Sequence, residues 1–114
     1  MDTTKTRTEL IREAAERLKI VGTGQSLEAE YSERLDLNVD PLFMQLAADG
    51  ICEVVNDNFI PAEWFDALVG LLANMCAALG GSGFDPRLKE YYEIQLKRLT
   101  SSRPSYNVQE AEYF

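Results

Sequence analysis

Apolar residues recur at three- and four-residue intervals along most of the chain, which is the spacing of one face of an α-helix. Four such stretches cover about residues 8–19, 26–46, 61–79 and 86–100. A short β-prone run at 51–55 has no strand-like partner elsewhere in the sequence, so we expect no full sheet. The pattern predicts an all-α fold: a small bundle of four to five helices within residues 1–100, followed by an extended C-terminal arm over residues 101–114.

Residues that cap or break helices mark the ends of the first two stretches. Thr6 and Glu9 have the spacing of a capping box, and Gly22 can end the first helix in a left-handed conformation. Pro41 lies inside the second stretch, where it removes a backbone donor and predicts a kink or a break.

The third helix is apolar on nearly all sides, so it must be covered on all sides. A Gly-rich turn joins it to the last helix, which begins with Asp85 as cap and Pro86 in first position, and the two helices should form an antiparallel hairpin. The core stripe of this last helix is predicted to be Leu88, Tyr91, Tyr92, Leu96 and Leu99.

A second, narrow face of the third helix carries three small residues and one amide. They are Ala67, Gly70, Asn74 and Ala77. Small side chains permit close helix approach, and we expect this face to pack against a neighbouring subunit, with Asn74 fixing the register.

Composition narrows the classes of function. The 114 residues are 46% hydrophobic and 26% charged, which fits one globular domain. The net charge of -8 argues against a phosphate-neutralising surface, and the absence of histidine lowers the expectation of catalysis and metal binding. We therefore expect no enzymatic activity, no metal, no cofactor and no membrane partner. Cys52 and Cys76 are predicted to be reduced core thiols of a protein made in a cytoplasm.

The acidic charge is concentrated in the middle of the chain. Residues 21–80 hold ten acids and one base, a net charge of -9. The second helix carries a group of these acids away from its core stripe: Glu28, Glu30, Glu33, Asp36 and Asp40. Two interpretations stay open for them, a solvated exterior face and one wall of a channel that repels DNA phosphates.

The last residues of the chain have no helical stripe but are rich in apolar side chains. Tyr106, Val108, Tyr113 and Phe114 lie among the last nine residues, after Arg103 and Pro104. Aromatic anchors on an extended segment are typical of fold-on-binding arms, so we expect docking to a partner; a solvated tail is the alternative.

Four stretches together resemble the head-to-tail adaptor family of tailed phages, which is related to the tail accessory factor of short-tailed phages and to head-completion connector proteins. They read TRTELIREAAERLKIVGTGQSLEAE, LDLNVDPLFMQLAADGI, NFIPAEWFDALVGLLANMCAALGG and FDPRLKEYYEIQLKRL. The resemblance lies in apolar positions and loop residues and spans almost the whole chain. It implies a small helical bundle with a C-terminal arm and no catalytic residues.

The same resemblance implies a structural virion protein at the head-tail junction. Its copies would form a ring, dodecameric in most of the family, beneath the portal protein, extend the DNA channel and dock tail proteins such as nozzle, tail-tube or fibre components. The arm would reach the portal or a neighbouring subunit, and DNA would be met only passively. The alternative function is a small acidic binding module, an inhibitor or DNA mimic that occupies a basic cleft.

Overall fold

The computed structural model describes residues 4–101. This part of the chain forms four α-helices, a 3-10 helix and two very short strands. They are β1 (Thr4–Lys5), α1 (Arg7–Arg17), α2 (Ala29–Ala48), β2 (Ile60–Pro61), α3 (Ala62–Met75), the 3-10 helix (Ala77–Gly80) and α4 (Pro86–Ser101). One hydrophobic core includes residues of all four α-helices. The predicted all-α fold is confirmed.

The N-terminus of α1 has the predicted capping box. The Thr6 hydroxyl accepts a hydrogen bond from the Glu9 amide (3.2 Å), and the Glu9 carboxylate accepts one from the Thr6 amide (2.9 Å). The prediction for the other end was wrong, because α1 ends five residues before Gly22. Lys19 adopts the left-handed conformation instead (φ 64°), and the Gly22 amide donates to the Gln25 side chain.

α2 continues through Pro41, so of the predicted kink or break the break is absent. The proline has no N–H to donate to the carbonyl of Leu37. Both residues lie on the side of α2 that faces away from the core, and Leu37 is 74% exposed. Water can therefore satisfy the carbonyl that loses its helical donor. The opposite side packs into the core through Leu35, Val39, Leu42, Phe43 and Leu46.

The two strands form a minimal antiparallel ladder. Thr4 pairs with Pro61 and Lys5 with Ile60, so the residues that precede α1 are joined to those that precede α3. The β-prone run at 51–55 contains no strand. Its first two residues are instead buried in the core as irregular chain.

α3 lies at the centre of the bundle. α1, α2 and α4 all pack against it, and nine of its residues are buried, from Trp64 to Asn74. The predicted continuation of this helix to residue 79 is a 3-10 turn, which ends at Gly81 in the left-handed conformation (φ 83°). An all-round apolar helix is thus covered on every side by its own chain.

α4 begins as the sequence predicts. Pro86 occupies its first position, and the Asp85 carboxylate accepts a hydrogen bond (2.9 Å) from a backbone amide of the first turn. Asn74 meets Asp85 beside the turn, and Gly70, one helical turn earlier in α3, faces Tyr92. An earlier residue of α3 thus contacts a later residue of α4, so the two helices run in opposite directions, and the predicted antiparallel hairpin is confirmed.

The predicted core stripe of α4 was too wide. Leu96 is fully buried, and Tyr92 and Leu99 pack against the core. Leu88 and Tyr91, which the sequence assigned to the same stripe, are 43% and 55% exposed. α4 packs mainly on α3, and a helix with one principal neighbour buries a narrow stripe only.

Candidate functional site

The acidic residues proposed for a channel wall do not converge on one point. Glu28, Glu30 and Glu33 are exposed around the N-terminal half of α2, which fits either open interpretation of the acidic face. Asp36 differs from them, because it is bound by Arg7 of α1.

Arg7 binds three carboxylates. Its Nε donates to Asp36, and its Nη1 donates to both Asp40 and Asp57; each of the three donor–acceptor distances is 2.7 Å. Partial burial lowers the pKa of the Arg7 guanidinium, but the hydrogen bonds to Asp40, Asp36 and Asp57 outweigh this effect and raise the pKa above its ordinary value. The permanently charged side chain ties α1 to α2 and to the loop before β2. Sequence reasoning missed this cluster because the partners lie 29 to 50 positions away along the chain.

The narrow face of α3 is used inside the monomer. Ala67 is 3% exposed, and Asn74 and Ala77 are each 6% exposed. Gly70 lies directly beneath the ring of Tyr92, so that a Cβ atom at this position would overlap the ring. This corrects the expectation that these four residues pack against a neighbouring subunit: all four are buried within the monomer, and at Gly70 it is α4 that makes the close approach.

Asn74 fixes the geometry of the α3–α4 turn. Its Nδ2 donates to the Asp85 carbonyl (2.8 Å), and its Oδ1 accepts a hydrogen bond from the Asp85 amide (2.9 Å). Both polar ends of the buried amide are therefore satisfied by one residue. The register that Asn74 determines is that of two helices in one chain.

Two helices carry exposed apolar residues on the sides that face away from the core. On α2, Leu37 is 74% and Met44 71% exposed; on α4, Tyr91 is 55% and Ile94 41% exposed. The sequence contained a signal for the α2 pair, since both residues fall outside the core stripe of a helix that already has one. The longer apolar run of the third helix is a stronger signal in the sequence, although it marks the core and not an outer surface.

Surface grooves accompany these faces. A groove of about 350 Å³ lies where α2 and α4 meet α3, lined by Leu42, Leu46, Leu71, Met75 and Phe84 among others. A second, of about 480 Å³, lies between α2 and the loop that follows it, beside Met44 and Val55. Asp40 and Asp57 border this second groove, but both are bound by Arg7.

The thiols are free and buried, as predicted. Burial raises the pKa of Cys52 to about 11, and it also raises the pKa of Cys76 above its ordinary value, although a hydrogen bond to Asn38 opposes this shift. Thiols in this state are poor nucleophiles. Within residues 4–101, no group of three or more Cys, Asp or Glu residues is placed to hold a metal ion.

Ser101, the first residue of the predicted arm, is the last residue of α4. The rest of the arm lies outside the described residues, with Arg103, Pro104, Tyr106, Val108, Tyr113 and Phe114. None of the helices in the described part of the chain is long and apolar enough to cross a bilayer. Comparisons of the sequence and structure with protein-family models, curated proteins and solved structures find no match. No relative therefore transfers a site residue to this chain.

Proposed function

We propose that this protein is a structural assembly protein, a head-to-tail adaptor of a tailed phage, and that it has no enzymatic activity. Its copies form a ring beneath the portal, extend the channel for DNA and dock the tail. The small helical bundle that the sequence resemblance implies supports this proposal. Because many functions use small helical bundles, the proposal rests mainly on the surface.

The observation that carries the proposal is the amount of apolar surface on a small acidic domain. Eight large apolar side chains are at least 41% exposed. They are Leu37, Met44, Val55, Phe59, Phe84, Leu88, Tyr91 and Ile94. Single exposed apolar residues are ordinary, but recurrence along the outer sides of two helices is typical of interaction surfaces.

The alternative, an acidic inhibitor or DNA mimic, is favoured by the carboxylates of α2. A DNA mimic presents free negative charges at regular spacing, whereas Asp36 and Asp40 are both bound to Arg7 here. The remaining acids precede the exposed apolar residues Leu37 and Met44 on the same helix, and a phosphate-binding cleft does not match such apolar residues. The surface of α2 thus fits a partly apolar protein interface better than a basic DNA-binding cleft.

Contact with DNA is passive in this proposal. Glu28, Glu30 and Glu33 are exposed and could contribute to a channel wall that repels phosphate. With one base among residues 21–80, the isolated chain should show no duplex affinity at physiological salt.

The deciding experiment measures mass with and without the purified portal protein of the phage that encodes the chain. An adaptor gives a complex of one fixed stoichiometry by light scattering after size-exclusion chromatography. A DNA mimic stays monomeric or dimeric and competes with duplex DNA for a basic protein in a salt-dependent manner. Failure to bind the portal under any ionic condition would contradict the adaptor proposal.

The arm is tested in the same assay. A variant that lacks residues 103–114 should keep its thermal midpoint to within a few degrees, because residues 4–101 already supply core residues from all four α-helices. The same variant should not join the portal stably, since it lacks the aromatic anchors. A large loss of monomer stability would instead assign the segment to the core.

A further inference from the structure

Two outward-facing rows of side chains have complementary character. The first, called the α2 row, consists of Glu30, Glu33, Leu37, Pro41 and Met44, at successive steps of three or four residues. The second, called the α4 row, consists of Arg87, Tyr91, Ile94 and Arg98. All nine residues are exposed, and each row lies opposite the buried stripe of its helix.

Both rows contain apolar side chains, and they differ in charge. In the α2 row two carboxylates precede Leu37 and Met44, whereas in the α4 row Arg87 and Arg98 flank the apolar pair. Counted over whole helices, α2 has a net charge of -3 and α4 has a net charge of +2. Arg34 partly offsets the acids by lying 3.8 Å from Glu30.

We propose that the α2 row of one copy packs against the α4 row of the next copy of this chain. The occupant is a second copy because one chain already carries both halves of the contact. Apolar side chains of the two rows would leave water together, and at one end of the contact Glu30 and Glu33 would meet an arginine of the α4 row. Pairing of two α4 rows would bring arginines together in either direction, and pairing of two α2 rows would leave Glu30 and Glu33 without a basic partner from the other copy.

A contact between two different surfaces is heterologous. Each added copy leaves one free α2 row and one free α4 row, so the assembly grows until it closes as a ring or continues as a filament. The contact between the two rows is inferred from the surface alone, whereas closure of the assembly into a ring rests on the proposed function. It also assigns Glu30 and Glu33 to a subunit contact and not to the channel wall.

The test exchanges charge between the rows. One variant is Glu30→Lys with Glu33→Lys, and the other is Arg87→Glu with Arg98→Glu. In either variant alone, the α2 row of one copy and the α4 row of the next copy carry charges of the same sign. Its association constant in sedimentation velocity should therefore fall by about tenfold or more relative to the wild-type chain. An equimolar mixture should recover the wild-type association, because each variant supplies the row that the other one needs.

Two further variants keep the result interpretable. Glu13→Lys with Asp49→Lys makes the same change of net charge as the Glu30 and Glu33 variant, at exposed positions outside both rows, and it should associate as the wild-type chain does. Arg87→Glu alone repeats the α4 change while leaving Arg98 and its contacts in place. Thermal midpoints establish that each variant is folded.

The outcomes separate this inference from the proposed function. Recovery in the mixture supports the heterologous contact. A wild-type chain that stays monomeric up to its solubility limit, a closed dimer, or a mixture without recovery overturns the inference. In those three cases the adaptor proposal still stands or falls by portal binding.

Discussion

α3 and α2 both carry more apolar residues than one core stripe requires, but the structure treats the excess in opposite ways. Around α3 the excess is covered by α1, α2 and α4 of the same chain. On α2 it stays on the outer side, where Leu37 and Met44 are more than 70% exposed. The amount of apolar sequence is thus a poor guide to where a partner binds.

The difference follows from position in the bundle. A central helix has neighbours on every side, so all-round apolarity is a requirement of its place in the monomer. A peripheral helix has neighbours on one side, so apolar residues on its other side have no partner within the chain. The informative signal for an interface is therefore an apolar residue beyond the core stripe of a peripheral helix.

The strongest test of this comparison is truncation of one leucine in each helix. Leu72 of α3 is fully buried, and Leu72→Ala should lower the free energy of unfolding by about 2–5 kcal/mol. Leu37→Ala on α2 should change it by about 0.5 kcal/mol or less. Urea unfolding monitored by circular dichroism gives both values, and similar losses for the two variants would contradict the comparison.

The packing of α4 on α3 is tested at Gly70. Gly70→Ala should destabilise the fold by about 1–2 kcal/mol, because overlap with Tyr92 outweighs the gain in helix propensity of about 1 kcal/mol. In a Tyr92→Leu background the same substitution should cost less, since the ring is gone. An equal cost in both backgrounds would mean that the ring does not press on this position.

A smaller effect is expected at the link between α1 and α2. Arg7→Lys should lower the free energy of unfolding by about 1 kcal/mol, and less at high salt, because an ammonium cannot reproduce the guanidinium's contacts with Asp36, Asp40 and Asp57. Arg17→Lys is the matched control, since its partner Asp66 is 76% exposed. Equal losses from the two substitutions would show that the cluster adds nothing beyond an ordinary surface pair.

The burial difference between the core and the outer side of α2 can also be tested by thiol alkylation, which should have the smallest effect on the fold. Cys52 should react slowly with an alkylating reagent near neutral pH, because the thiol is buried and its pKa is raised from 9.0 to about 11. A thiol placed by Met44→Cys on the outer side of α2 should react at the rate of an unfolded chain. Comparable rates at the two sites would contradict the burial difference.

The same raised pKa has a consequence for alkaline stability. The neutral thiol of Cys52 is favoured in the folded state, so its contribution is fully present below about pH 9 and is lost as the pH rises through about 11. Cys52→Ala should reduce this loss in unfolding curves measured across that interval.

Much of the fold could be predicted because its signals are local. The capping box of Thr6 and Glu9, the Asp85–Pro86 start of α4 and the helical stripes each involve residues within one or two turns of one another. Local signals that have competing outcomes were less informative. Lys19 replaced Gly22 at the end of α1, whereas at Pro41, where the sequence predicts a kink or a break, the solvent-facing position allowed α2 to continue without a break.

The sequence by itself determined that the chain is helical, where most helices begin, and that the domain is acidic, since these properties depend on neighbouring residues and composition. Only the tertiary structure decided that α3 is the central helix, that Tyr92 covers Gly70, and that Arg7 gathers carboxylates from distant segments. It also decided which apolar residues remain outside. A helical pattern fixes which side chains share a face, but whether that face is covered depends on the packing of all the helices together.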